Sequence, residues 1–307
     1  MGPGAPAVLG LFSAAQPPTV RLRGRLDGPA AADGPHQALH IEAHADGLFR
    51  YSDFPLVGAD FVADVHDDDI ALSGISAGFA GGRLGGQARI RMRDGQRRLE
   101  FDGSIRDASL GQTIETVNAY TAVRAGKPAP PPSTFARDKA SIRLDVTATA
   151  EGEFADLLSF HGTGEARLQG AGLGEVRILG PLSGLLSITS LRFTAARGAF
   201  QIDGPQLVFS NVTVTGANSG IVAHGTYALD RHALDFRATV NPFQQSKSLP
   251  QRFMDVMLTP LADVLAVKLT GTIEKPAWSF VNGPTSFLRA LAPAPPASGA
   301  PSPLRAP

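Results

Sequence analysis

The chain has 307 residues, and its 28 lysines and arginines balance 28 aspartates and glutamates that are scattered along it without clustering. That balance offers no field for recruiting nucleic acid, so a nucleic-acid partner is set aside. With no cysteine there are no disulfides, thiolate metal sites or cysteine nucleophiles, while a hydrophobic content of 43% is ample for a substantial core.

Taken in order, the chain opens on a small apolar run from Ala5 to Ala15. It has no basic flank and falls short of the roughly 20 residues needed to span a bilayer, so 1–18 is expected to be a poorly ordered start. No later window reaches a transmembrane length, because Gly, Pro, Asp or Arg interrupts every apolar stretch. From residue 19 the pattern is apolar/polar alternation with a period of two, the mark of half-buried strands. It passes through Val20, Leu22 and Leu26, then Leu39, Ile41, Ala43 and Ala45. Phe61, Ala63 and Val65 lead into the turn Asp67-Asp68-Asp69 and out through Ile70 and Leu72, a hairpin. Further strands are expected at Phe79, at Ala88, Ile90 and Met92 after the glycine cluster Gly81 to Gly86, and at Leu99 and Phe101 after Asp94-Gly95. Residues 19–107 therefore read as one β unit.

Over 108–135 the spacing of Leu110, Ile114, Val117 and Tyr120 is helical, and Pro128 to Pro132 follow as a stiff connector. Alternation returns at Ile142, Leu144, Val146 and Ala148, then at Ala166 and Leu168. Gly174 to Ile188 has helix-like spacing punctured by Gly180, Pro181 and Gly184, and is expected to be a short, broken helix. From Leu191 to Val240 a ladder of short alternating strands is punctuated by Asp203-Gly204, Asn218 to Gly220 and Asp230 to His232, which predicts a meander of hairpins. Within 249–266, Phe253, Met254, Met257, Leu258, Leu261 and Leu265 share one helical face, interrupted at Pro260. A last strand passes through Val267, Leu269 and Ile273. A short helix around Ser286 to Leu291 and a Pro/Ala/Ser tail close the chain over 283–307, with 136–282 as the second β region. The predicted fold class is all-β: an elongated, curved antiparallel sheet, a groove or half-pipe, with a few short helices.

Two stretches carry a family resemblance. FPLVGADFVADVHDDDIALSGISAGFAGGRLGGQARIRM, from Phe54 to Met92, resembles the AsmA-like unit in which a hairpin leads through Gly-Gly-x-Leu-x-Gly into an outgoing strand. LRFTAARGAFQIDGPQLVFSNVTVTGANSGIVAHGTYALDRHALDFRATVNPF, with PLADVLAVKLTGTIEKPAWSF after a helical insert, resembles the AsmA-like carboxy-terminal region, including its closing Gly-Thr-Ile and Pro-x-Trp. The family is related to the bridge-like lipid-transfer proteins. The resemblance implies a curved sheet with an apolar groove, a place in the periplasm or cell envelope of Gram-negative bacteria, and a role in phospholipid handling and outer-membrane biogenesis. It also implies membrane association, here through a missing amino-terminal segment or a partner. The family has no catalytic motif, so no catalytic residue is carried over; neither enzyme activity nor a cofactor is expected.

Other residues invite chemistry. His36, His40 and His44 recur every four residues, a metal-ligand spacing on a helix, but on an alternating strand His40, Glu42 and His44 form a solvated face opposite Leu39, Ile41 and Ala43. Asp67 to Asp69 lack the spacing of a calcium loop. Gly78, Gly81, Gly82, Gly85 and Gly86 precede a strand and no Gly-Lys, so they read as turn and bulge rather than a phosphate cradle. Ser76, Ser187 and Ser246 lie in no Gly-x-Ser-x-Gly elbow. Trp278 is read as a packing anchor.

A sheet with one apolar face must cover it with helices, another sheet or a ligand, and the predicted helices are too few for so many strands. The expected partner is therefore a phospholipid or other acyl-chain lipid, alongside membrane or envelope-protein partners. The candidate groove residues are Phe193, Phe200, Ile202, Leu207, Phe209, Val212, Val214, Leu234, Phe236 and Val240. The alternative is an extended β scaffold, adhesin-like, whose apolar face is filled by its own side chains.

Overall fold

Alternating sequences joined by two-residue turns pair with their neighbours in the chain, and here the pairing repeats from one end of the protein to the other. The computed structural model describes residues 12–26, 37–51, 54–124, 126–176, 191–217, 219–241, 266–272 and 275–281. Among them, fifteen strands make one open, curved antiparallel sheet. The first seven are β1 (Phe12–Ala14), β2 (Thr19–Leu26), β3 (Gln37–Tyr51), β4 (Phe54–His66), β5 (Asp69–Phe79), β6 (Gly82–Arg93) and β7 (Gln96–Ser109). Two helices follow, α1 (Leu110–Arg124) and α2 (Thr134–Asp138). The sheet resumes with β8 (Arg143–Glu153), β9 (His161–Val176), β10 (Leu191–Asp203) and β11 (Gln206–Gly216), and ends with β12 (Gly220–Ala228), β13 (Ala233–Asn241), β14 (Ala266–Thr272) and β15 (Pro276–Phe280).

From β3 onward each strand lies beside the next in sequence. β1 and β2 both pair with β3, end to end: Ala14 opposes Phe49 and Thr19 opposes His44. Pro17 and Pro18, which cannot donate to a ladder, stand where this edge is broken. The two-residue turns after β4, β6 and β10 lie on one rim, with positive φ at Asp67 (51°), Asp94 (53°) and Gly204 (56°). These are the primed turns whose twist matches that of paired strands. The 3-10 turn Leu157–Ser159 is on the same rim, its first amide (Leu158) bonded to the Asp156 carboxylate at 2.9 Å.

The opposite rim carries the long connections. α1 and α2 span the gap from β7 to β8, and the strands flanking 177–190 and 242–265 also end there. α1 is pinned at its start: the Ser109 amide donates to the Ala80 carbonyl at 2.8 Å and the Leu110 amide to the Ile142 carbonyl at 2.9 Å. Gly111 lets α2 approach, since a Cβ there would collide with the Ala136 carbonyl oxygen. Ala108, Ala136 and Ile142 are buried at this junction. Tyr120 of α1 meets the edge of Phe54 (5.2 Å between centroids), and Phe54 stacks on Phe79 at 5.4 Å. Beside them Ala45, Phe49, Ala59, Ala77 and Leu56 form a small core. The helices thus cover one end of the apolar face near β4, β5 and β7, and nothing else among the described residues forms a second layer.

The expected class, an all-β elongated sheet with few helices, is the fold observed. Several elements differ in detail. The segments read separately around Ile70 and Phe79 are one strand, β5, carried through a bulge in which Gly74 has φ 59°. Only Ala80 and Gly81 form the next turn; Gly85 and Gly86 lie inside β6, where they make room for neighbouring backbone. Gly174 to Val176 end β9, opposite Phe193, Arg192 and Leu191, instead of starting a helix. β15 and α2 were not expected, and Phe12–Ala14 pairs within the sheet. The expected helices at 249–266 and 286–291, and the rest of 177–188, lie outside the described residues.

The adjacent glycines of β6 make opposite predictions. A Cβ at Gly86 would run into the Asp102 carbonyl oxygen, whereas one at Gly85 meets only ordinary contacts, the nearest at 3.5 Å. Gly86→Ala is expected to destabilise by about 1–3 kcal/mol through overpacking and Gly85→Ala by no more than about 0.5 kcal/mol, as read from urea midpoints.

Candidate functional site

Residues opposed across antiparallel strands point to the same face, so the registers fix which side chains share a surface. One transverse row runs unbroken through the sheet: Leu22, Ile41, Ala63, Leu72, Ala88, Phe101, Ala150, Gly162, Ile202, Leu207, Tyr227, Leu234, Gly271 and Pro276. It contains no charged residue. The row displaced by one residue along each strand has the opposite character: Arg23, His40, Asp64, Ala71, Arg89, Glu100, Glu151, His161, Asp203 and Gln206. The sheet therefore has one apolar and one polar face over its whole width.

The groove candidates fall on the apolar face as the register defines it. Ile202, Leu207 and Leu234 belong to the row above; Phe200, Phe209 and Phe236 belong to the next; Val212 and Val214 continue β11 with the same parity. Phe193 lies beyond the β10 bulge opposite Gly174 and Gly216, and Val240 pairs with Ile221. Phe193 and Phe200 are buried, at 2% and 9% exposure, while Ile202, Leu207, Phe209, Val212, Val214, Leu234 and Phe236 are half-buried. The half-burial follows from strand neighbours on two sides and no layer above.

Aromatic rings partly cover this face by lying across glycines. Phe200 opposes Gly164, and a Cβ at Gly164 would collide with its ring. Gly225 separates Phe209 from Phe236, and with no side chain between them the two rings approach to 5.6 Å; Phe200 and Phe209 are also 5.6 Å apart. Such tilted pairs contribute about 0.5–1.5 kcal/mol each beyond the area they bury.

Where no ring spans the glycines, the face sinks. Opposed Gly86 and Gly103 floor a depression of about 270 Å³ walled by Ile75, Leu84, Phe101, Ile105 and Val146. The sequence reading missed these residues as a site, since Gly86 was taken for a turn. A larger hollow of about 490 Å³ is lined by Asp102, Thr147, Thr149, Thr163, Glu165 and Gln201. Those side chains belong to the polar face, so it suits water rather than hydrocarbon.

On the polar face His40 and His44 point the same way, as the alternation predicts, but their partners come from β4. His40 Nδ1 lies 2.7 Å from Asp64 Oδ1 and 3.6 Å by Nε2 from Glu42; His44 Nδ1 lies 2.6 Å from Asp60 and 3.2 Å by Nε2 from Asp46. Among the described residues no group of His, Asp and Glu has the geometry to hold a metal ion. Asp67 and Asp68 form a hairpin turn, with the Gln37 amide donating to Asp67 Oδ1 at 2.9 Å. Ser76 opposes Asp60, and Trp278 opposes Leu269. His36, Ser187 and Ser246 lie outside the described residues. No helix among the described residues is long and apolar enough to cross a membrane. No protein-family model, curated protein or solved structure matches this chain.

The carboxylates hold both imidazoles above their ordinary pKa, first through the hydrogen bonds from Asp64 and Asp60 and then through charge. A raised folded-state pKa means that the pairs' contribution is complete below the ordinary imidazole value and is lost as pH rises through the raised one. Titration followed by NMR is expected to show both midpoints above that of a free histidine, with Asp64→Asn returning His40, and not His44, toward it.

Proposed function

We propose that this is a non-catalytic cell-envelope protein whose apolar sheet face takes up the acyl chains of phospholipid or a similar lipid, and that it serves phospholipid handling and outer-membrane biogenesis. The observation that carries the reading is the uncharged row running from Leu22 to Pro276 across a sheet whose helices cover only one end of that face. Hydrocarbon asks little of such a site. It needs a dry, adaptable lining, and each methylene withdrawn from water contributes roughly 0.8 kcal/mol. Headgroups stay in solvent beyond the strand ends. The envelope location, the periplasmic setting and the choice of phospholipid rest on the resemblance of Phe54–Met92 and Leu191–Phe280 to the AsmA-like family, which also suggests membrane association through a further segment or a partner.

One observation favours a second reading. The rings of Phe200, Phe209 and Phe236 cover glycines and one another, which is how an extended β scaffold would fill its own face without a ligand. The two readings separate in one variant. With Leu207, Phe209 and Phe236 all replaced by glutamate, the lipid-binding reading expects at least a tenfold loss of bound fluorescent phospholipid while the circular-dichroism signature of the sheet is retained. A folded triple variant carrying as much lipid as the parent protein would favour the scaffold.

A further inference from the structure

An open sheet ends in strands whose outward amides and carbonyls are unpaired, and such edges are normally blunted by inward-pointing charge, bulges or proline within the strand. β2 has none of these. All eight residues, Thr19 to Leu26, pair with β3 without a register shift, and Pro17 and Pro18 lie before the strand. On the apolar face Val20 and Leu22 carry the rows to the edge and are 54% and 60% exposed. On the other face stand Arg21, Arg23 and Arg25, every second residue. Arg21 reaches Glu42 at 3.6 Å, so the nearest carboxylate is one strand inward, with Asp60 and Asp64 two strands inward.

We propose that the free edge of β2 docks one extended strand of a partner protein in which apolar and acidic residues alternate. A strand hydrogen-bonded to β2 sits about 4.8 Å away and meets the arginines before any inner carboxylate. Its residues opposite Val20 and Leu22 continue an apolar face; those opposite Arg21, Arg23 and Arg25 meet three cations, where opposite charge is favourable and like charge is costly. That argument excludes a second copy pairing β2 with β2, which sets arginine against arginine. It also disfavours β15 of another copy, whose residues on the polar face are Ala277 and Ser279. Neither 1–11 nor 282–307 contains an aspartate or glutamate, so those segments do not supply the strand. This mode is β-strand addition, in which main-chain bonds give affinity and alternate side chains give selectivity.

The test uses the full chain, isotopically labelled, with three synthetic eight-residue peptides: alternating Val and Glu, the same residues in two blocks, and alternating Val and Lys. The expected result is that only the alternating Val/Glu peptide slows amide exchange across Thr19–Leu26, at one peptide per chain. In Arg21→Glu/Arg23→Glu its affinity falls at least tenfold and the Val/Lys peptide becomes the preferred one. The same amides report that β2 is still paired with β3. Equal binding of the three peptides, no protection by any, or β2 amides already protected in oligomers of the chain alone would each overturn the proposal.

Discussion

The structure depends on strand parity. Because side chains alternate with a period of two, a slip of one residue at any junction would carry every apolar residue beyond it to the polar face. The chain avoids this while still bending the sheet, because its bulges add residues without exchanging the faces. Between β7 and β8, for example, the pairing moves from Ile105 and Val146 to Ala108 and Leu144, with Asp107 at φ 55° absorbing the extra residue. All four apolar residues stay on the same side. The same device at Gly58 and Gly74, both near φ 59°, lets β4 and β5 bend without mixing the faces.

A face kept pure over this width is hard to cover. Helices α1 and α2 close one end through Tyr120, Phe54 and Phe79, and further along the sheet covers itself only where a phenylalanine meets a glycine. Phe200 over Gly164 and the approach of Phe209 to Phe236 across Gly225 are side-chain substitutes for a missing second layer. Between those rings and at the Gly86–Gly103 depression, hydrocarbon surface is still in contact with solvent. That residual surface stabilises the folded chain least and is the surface a lipid would find, so the proposed function and the modest packing have one origin.

Much of this was legible in the alternation. Strands such as Leu39 to Ala45 and Phe61 to Val65, the turns at Asp67-Asp68 and Asp94-Gly95, and the helix beginning at Leu110 follow from local rules, and ten groove residues chosen by alternation share a face defined by the registers. What local rules lack is knowledge of the neighbouring strand. Gly74 and Gly86 look alike in sequence, yet one is a bulge and the other clears space for the Asp102 carbonyl. The depression was missed for that reason, since opposed glycines 86 and 103 become adjacent only through pairing. Likewise the spacing of His40 and His44 placed them on one face, but Asp64 and Asp60 reach them only through the register of β3 with β4.

The most direct test of the central claim is native mass spectrometry of the gently purified protein, with solvent extraction of the same sample. The account predicts phospholipid bound in reproducible stoichiometry, released when the sheet is unfolded. A stable chain that carries no lipid, and acquires none from phospholipid vesicles, would contradict it and leave the apolar face as the interior of a scaffold.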